Sequence, residues 1–190
     1  MAAKWAFFTS DRPGGTTRLA VVVSGTLPTG TTDARLDADG NEIRALRLGR
    51  GAVSGSLLMA VSVLRGRFGL TADIGHTVTA GDGGYQVGQK TIYDFAFSLR
   101  FPDRIGTIRT RTVQLYMEWN GMFSARSGAP GGVIGDSGGH VAFLSPGVQV
   151  VLLPQFLVEA SVQIPVVQNF NGQQPRFGTR VATGARLLFF

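Results

Sequence analysis

Large apolar side chains recur at every second position in segment after segment of this chain. Between Thr91 and Phe101, for example, aromatic and aliphatic residues alternate with small, polar or charged ones. A period of two is typical of β-strands whose two faces meet different surroundings. Gly, Val, Thr and Phe are abundant, which also favours strands and turns. The sequence therefore predicts an all-β protein of antiparallel strands.

The pattern predicts nine strands. The four clearest are Phe68–Val78, Thr91–Phe101, Thr112–Asn120 and Phe156–Ile164. Five further segments alternate less regularly: Ala3–Thr9, 17–28, 52–64, 141–152 and Thr179–Phe190.

Short and long connections alternate along the chain. Short ones are predicted near 11–15, 65–67, 102–106 and 153–155, and long ones near 29–51, 80–90, 124–139 and 169–178. In an up-and-down meander, this order places all short turns at one end and all long loops at the other. Transmembrane β-barrels of the bacterial outer membrane have this arrangement.

The polar faces of several predicted strands carry charges. The residues concerned are Asp73, Asp94, Arg100, Glu118, Glu159, Arg180 and Arg186. Burying so many charges in a dry core costs on the order of several kcal/mol for each unpaired one. The apolar faces are mostly free of charge, as contact with lipid requires. We therefore expect these seven residues to line a water-filled lumen.

Direction along the meander bears on how much of the barrel is present. If the short turns are periplasmic, the first strand starts at the outer face, whereas single-chain barrels start in the periplasm with an even strand number. No secretory signal is visible in Met1–Phe8. We expect an odd number of further strands and a signal peptide upstream, so that residues 1–190 form the C-terminal part of a single outer-membrane β-barrel domain.

Composition excludes several classes of function. The absence of cysteine rules out zinc-thiolate sites, iron–sulfur clusters and cysteine nucleophiles. No run of about 18 apolar residues could form a transmembrane helix. The net charge of +6 comes from scattered Lys and Arg residues without interleaved aromatics, so we predict no nucleic-acid partner.

Two kinds of motif resemble binding sites but lack essential residues. The stretch Leu36–Glu42 is similar to a calcium loop, yet Arg35 and Leu46 occupy positions where acidic ligands are needed. The glycine-rich stretches 81–84 and 128–132 are followed neither by a helix nor by Lys-Ser/Thr. We predict no metal site and no cofactor.

The candidate catalytic residues are the histidines and the lumenal carboxylates. His76 and His140 are the only histidines, and an outer-membrane lipase needs a serine beside one of them. The lumenal carboxylates fall on different strands without fixed spacing, which favours a charge ladder over acid–base pairs; they are Asp73, Asp94, Glu118 and Glu159. We therefore predict no enzyme. A soluble ligand-binding β-barrel or sandwich, with its apolar faces inward, remains the alternative, and an outer-membrane lipase is a third hypothesis.

Three motifs resemble a known family. They are Leu27-Pro28-Thr29-Gly30, Ser145-Pro146-Gly147-Val148-Gln149, and the stretch Glu159–Gln168 followed by Asn169–Gln174 and Gly184-Ala185-Arg186. In order and spacing they resemble the MetA-pathway phenol-degradation family of outer-membrane proteins, over about residues 17–190.

The resemblance implies a barrel of about twelve strands, nine of them visible here. Its implied function is passage or uptake of small hydrophobic or aromatic compounds across the outer membrane of a Gram-negative bacterium. The implied partners are outer-membrane lipid and lipopolysaccharide, the barrel assembly machinery and a small hydrophobic solute. The family offers no catalytic residues to transfer. The matching positions are expected to end or bend strands at the barrel rim: Pro28, Gly30, Pro146, Gly147, Pro165 and Gly184.

Overall fold

The fold is all-β. The computed structural model describes residues 1–29, 52–81, 84–101 and 111–187. Its strands are β1 (Ala2–Arg12), β2 (Gly15–Thr26), β3 (Ser54–Arg65), β4 (Phe68–Thr79), β5 (Lys90–Phe101), β6 (Thr112–Ser124), β7 (Gly128–Ala129), β8 (Gly132–Val133), β9 (Gly139–Leu153), β10 (Phe156–Phe170) and β11 (Arg180–Leu187).

Nine long strands form one antiparallel sheet in the order β1-β2-β3-β4-β5-β6-β9-β10-β11, and β7 and β8 pair as a small separate hairpin. Each long strand hydrogen-bonds to the next long strand along the chain, so the predicted nine-strand meander is confirmed. Within the described ranges β1 and β11 are the two edges of the sheet and do not pair with each other. The sheet is therefore open. No helix in this part of the chain is long and apolar enough to cross a membrane.

The connections alternate in length as the sequence predicts, wherever they are described. Tight turns at Pro13–Gly14, Gly66–Arg67 and Pro154–Gln155 join successive strands at one end of the sheet. Gly14 and Gly66 have φ of 81° and 55°, values that glycine adopts without the steric cost of a side chain. The longer connections after β4, β6 and β10 lie at the other end, called the loop end below. Most of the predicted 29–51 loop, with Gly30 and the calcium-like stretch, and the predicted 102–106 turn lie outside the described residues.

The two faces of the sheet differ in chemistry. The pairing between β4, β5 and β6 has no register shift, so that Asp73, Asp94 and Asn120 share one face, whereas Ile74, Tyr93 and Gly121 share the other. We call the first the polar face and the second the apolar face.

Exposure on the two faces is the reverse of that in a soluble sheet packed on a core. On the apolar face Ile74 is 55% exposed, Met59 53% and Phe95 47%, whereas Ser145 on the polar face is fully buried. The buried hydrophobic residues of the described ranges are only Ala20, Val141, Ala142 and Phe143. A crowded polar face and an open apolar face fit a sheet that curls around its polar side chains.

The proline and glycine positions that carry the resemblance lie mostly inside strands. Pro165 coincides with a shift in the register between β9 and β10, as expected for a residue that cannot donate to the ladder. Pro146 and Gly147 lie within β9, and Gly184 lies within β11, away from the strand ends. Pro28 follows the end of β2.

Gly147 of this set, and Gly121 of β6, provide space for tyrosine rings. A Cβ atom on Gly147 would collide with the ring of Tyr116 on the neighbouring strand β6, and a Cβ on Gly121 would collide with the ring of Tyr93 on β5. An aromatic ring that covers a cross-strand glycine shields its backbone and offsets the missing side chain. Tyr116 also shares a hydrogen bond with Ser161 on β10, so that it connects three adjacent strands.

Candidate functional site

The cross-strand register places all the predicted charged residues on the polar face. Asp73 is paired with Asp94, whose own partner on β6 is Asn120, and the remaining members occupy the same parity of their strands: Arg100, Glu118, Glu159, Arg180 and Arg186. The structure brings Asp73 and Asp94 side by side. The others are spread along the face, and their predicted role in lining a lumen stays a prediction.

A hydrogen-bonded chain crosses the middle of the polar face. Ser145 Oγ donates to Asn120 Oδ1 at 2.8 Å, and Asn120 Nδ2 donates to Asp94 Oδ1 at 2.9 Å. Ser145 is fully buried, so its hydroxyl depends on this bond. Sequence reasoning identified Asp94 but missed Asn120 and Ser145, which occupy the polar parity of their strands and could have been selected on that ground.

A second polar contact joins β9 and β10. Gln149 Nε2 donates to Glu159 Oε2 at 3.1 Å, and the side chain of Glu159 lies over the backbone of Gly184 on β11. Thus Asp94 and Glu159 are both held by amide groups. This arrangement keeps the carboxylates ordered and hydrogen-bonded along the face.

Both histidines lie on the apolar face near the loop end, as predicted for His76. His76 Nδ1 hydrogen-bonds Thr91 Oγ1 at 2.9 Å. His140 stacks on Phe123 with ring centroids 3.9 Å apart, and its Nε2 hydrogen-bonds the Tyr93 hydroxyl at 2.8 Å. Neither histidine hydrogen-bonds a serine among the described residues. Rings with polar tips at this level of a strand are typical of the aromatic girdle of a membrane barrel.

Sequence reasoning missed an aromatic cluster at the loop end of the polar face. The ring of Phe177, from the connection between β10 and β11, packs edge-on to Phe143 at 5.7 Å and lies 5.9 Å from Phe170. The Arg180 guanidinium lies over Phe143 at 4.6 Å and over Phe177 at 5.4 Å. The parity of Phe143 in β9 places it among polar residues, but only tertiary structure brings Phe177 to it.

Hydrogen bonds hold this connection in place. The Gln168 side chain accepts from Phe177 N at 2.7 Å and donates to Phe177 O at 3.1 Å. Gln174 Nε2 donates to Gly138 O at 2.8 Å, and Asn171 Nδ2 donates to Ser137 O at 3.0 Å. The β10–β11 connection is thereby joined to the β6–β9 connection.

Among the described residues, no three His, Asp or Glu side chains are grouped so as to hold a metal ion. The polar face carries carboxylate, amide and guanidinium groups in a row across the strands.

Comparison with known proteins identifies the family. The model of the family described as "Putative MetA-pathway of phenol degradation" matches residues 1–173. The chain belongs to this family. The match begins at Met1 and ends just beyond β10, so it includes β1, which the sequence motifs did not reach, and leaves out β11. A search of curated proteins finds no match.

Asn120 is expected to be important for the stability of this member of the phenol-degradation family. An Asn120→Ala variant removes the hydrogen bond of the buried Ser145 hydroxyl and one hydrogen bond of the Asp94 carboxylate, so we expect a loss of about 1–3 kcal/mol in the free energy of unfolding. Urea titration followed by tryptophan fluorescence measures it. Asn169→Ala, at an exposed position of β10 outside the network, is the control. Equal stability of the two variants would contradict the role of the network.

Proposed function

We propose that this chain is part of a β-barrel in the outer membrane of a Gram-negative bacterium, and that it conveys small hydrophobic or aromatic compounds without catalysing a reaction. The observation that carries the proposal is the inverted exposure of the sheet. Large apolar side chains are open to the surroundings on one face, while charged and polar groups are crowded on the other.

The extent of the apolar face supports a lipid environment. The exposed residues Leu70, Phe97 and Met117 are cross-strand partners on three adjacent strands and form part of a continuous apolar surface. Monomeric soluble proteins rarely expose contiguous apolar patches beyond roughly a few hundred Å². Hydrocarbon contact accounts for this surface, and the aromatic residues and histidines near the loop end suit the boundary with lipopolysaccharide.

The polar face supports a watery passage. Charged side chains must be either hydrated or hydrogen-bonded to a partner. A water-filled lumen would hydrate those charged residues that no amide side chain binds. The family's description concerns phenol degradation, which supports aromatic compounds as the solutes. Insertion of such a sheet requires the barrel assembly machinery, and no catalytic role is proposed for His76, His140 or the carboxylates.

The absence of cysteine makes the sidedness directly testable. Single variants Phe95→Cys, Ala96→Cys, Phe97→Cys and Ser98→Cys sample the two faces of β5 alternately. In outer-membrane fractions we expect a charged, membrane-impermeant maleimide to label positions 96 and 98 and to leave 95 and 97 unlabelled. The reverse labelling pattern would contradict a lipid-facing apolar face, and recovery of the chain in the soluble fraction would favour a soluble ligand-binding protein.

Conduction is tested separately. Liposomes that contain the chain are expected to take up phenol faster than empty liposomes. Labelling that alternates as predicted, with no increase in uptake of any aromatic solute, would leave the chain a structural role in the membrane.

A further inference from the structure

We propose that the loop end of the polar face contains a binding pocket for single-ring aromatic anions. The inference rests on the proposed function, because it treats the pocket as a capture point on the solute's route. Its chemistry follows from the walls, the charge and the size of the cavity.

The walls are apolar where the connections meet the strands. The apolar part of its lining is formed by Phe177, Phe170, Val141 and Met122, and Gly88 and Gly138 allow close approach of the backbone. Phe177 is held against this cavity by its paired hydrogen bonds to Gln168. Aromatic walls favour a planar ring because rings pack edge-to-face or offset against each other.

The charge at the pocket is positive. Lys90 lines it directly, none of its lining residues is acidic, and Arg180 lies against the ring of Phe177. An ammonium group at the edge of an apolar cavity favours a ligand with a carboxylate or phenolate on its ring. An uncharged aromatic ligand would pack against the same apolar residues but would not form an ion pair with Lys90.

The size of the cavity limits the ligand. Its volume is about 260 Å³. A cavity of about 150 Å³ in a protein core holds benzene. The pocket therefore accommodates one ring with a short substituent and is too small for two fused rings with side groups.

The test is calorimetric titration of the full chain, folded in detergent, with benzoate, benzyl alcohol and acetate. We expect benzoate to bind more tightly than benzyl alcohol, and acetate not to bind. Phe177→Ala should weaken both aromatic ligands. Lys90→Met keeps the aliphatic stem, and should weaken benzoate about tenfold or more while benzyl alcohol is unchanged.

Lys4→Met is the matched control, because Lys4 has the same polar-face parity on the edge strand β1, remote from the pocket. Circular dichroism checks that Phe177→Ala and Lys90→Met both fold. Absence of benzoate binding, or an equal loss of benzoate affinity in Lys90→Met and Lys4→Met, would contradict the proposed binding pocket. The cysteine labelling pattern is independent of this result, so failure of the pocket and failure of the membrane proposal are distinguishable.

Discussion

Phe97→Lys is expected to prevent stable insertion of the sheet, whereas Ala96→Lys on the adjacent residue is expected to be tolerated. Phe97 is exposed on the apolar face, and a lysine at the middle of the lipid face of a barrel costs about 2–4 kcal/mol. Ala96 lies on the polar face opposite Thr71 and Glu118, where a lysine meets a carboxylate. The measurement is the fraction of each variant that shows heat-modifiable migration after extraction from membranes.

This pair of variants tests whether Phe97 faces lipid. If the apolar face of this open sheet met water instead, a lysine at the exposed position 97 would be harmless or would improve solubility, and one at the crowded position 96 would be the more disruptive. Insertion of Phe97→Lys at the level of the unmodified chain would therefore contradict a lipid-facing position for Phe97.

Gly147→Val is expected to destabilise the sheet by about 1–3 kcal/mol, because the new side chain occupies the volume of the Tyr116 ring. The ring would have to leave Gly147 and its hydrogen bond to Ser161 on β10. Gly55→Val is the matched control: it lies in β3, and a Cβ atom there meets nothing within 4 Å. Because valine suits a strand better than glycine, this control should be neutral or slightly stabilising.

Urea titration of both glycine variants in detergent gives the difference in the free energy of unfolding. A second variant, Gly147→Ala, places only the Cβ atom under the ring and should show a smaller loss than valine. Equal effects at positions 147 and 55 would mean that the contact between Tyr116 and Gly147 does not contribute to stability.

Much of the candidate site was predictable because it depends on parity within a strand. Asp94 and Glu159 alternate with large apolar neighbours, and that alternation assigns them to one face whatever the rest of the chain does. Asn120 and Ser145 have the same parity, but a single amide and a single hydroxyl have no distinctive pattern. Their importance comes from hydrogen bonds between β5, β6 and β9, which depend on the cross-strand register.

The expectation that prolines and glycines bend strands at the rim was made from residue type alone. Pro165 does coincide with a register shift, whereas Gly147 lies inside β9 under a tyrosine ring. The sequence shows only that a position holds glycine and so leaves space beside the backbone. Which side chain fills that space depends on the residue that lies opposite the glycine on the neighbouring strand.

The sequence by itself determined the all-β class, the nine strands, their order of short and long connections and the chemistry of their two faces, since these follow from a local period of two and from turn residues. Only the tertiary structure decided the partners of Asn120, the tyrosines over glycines and the aromatic cluster around Phe177. Phe143 and Phe177 are separated by the β9–β10 turn and all of β10, and they meet because the β10–β11 connection folds back over the polar face. Contacts of that kind depend on distances between strands, which no periodicity in the sequence encodes.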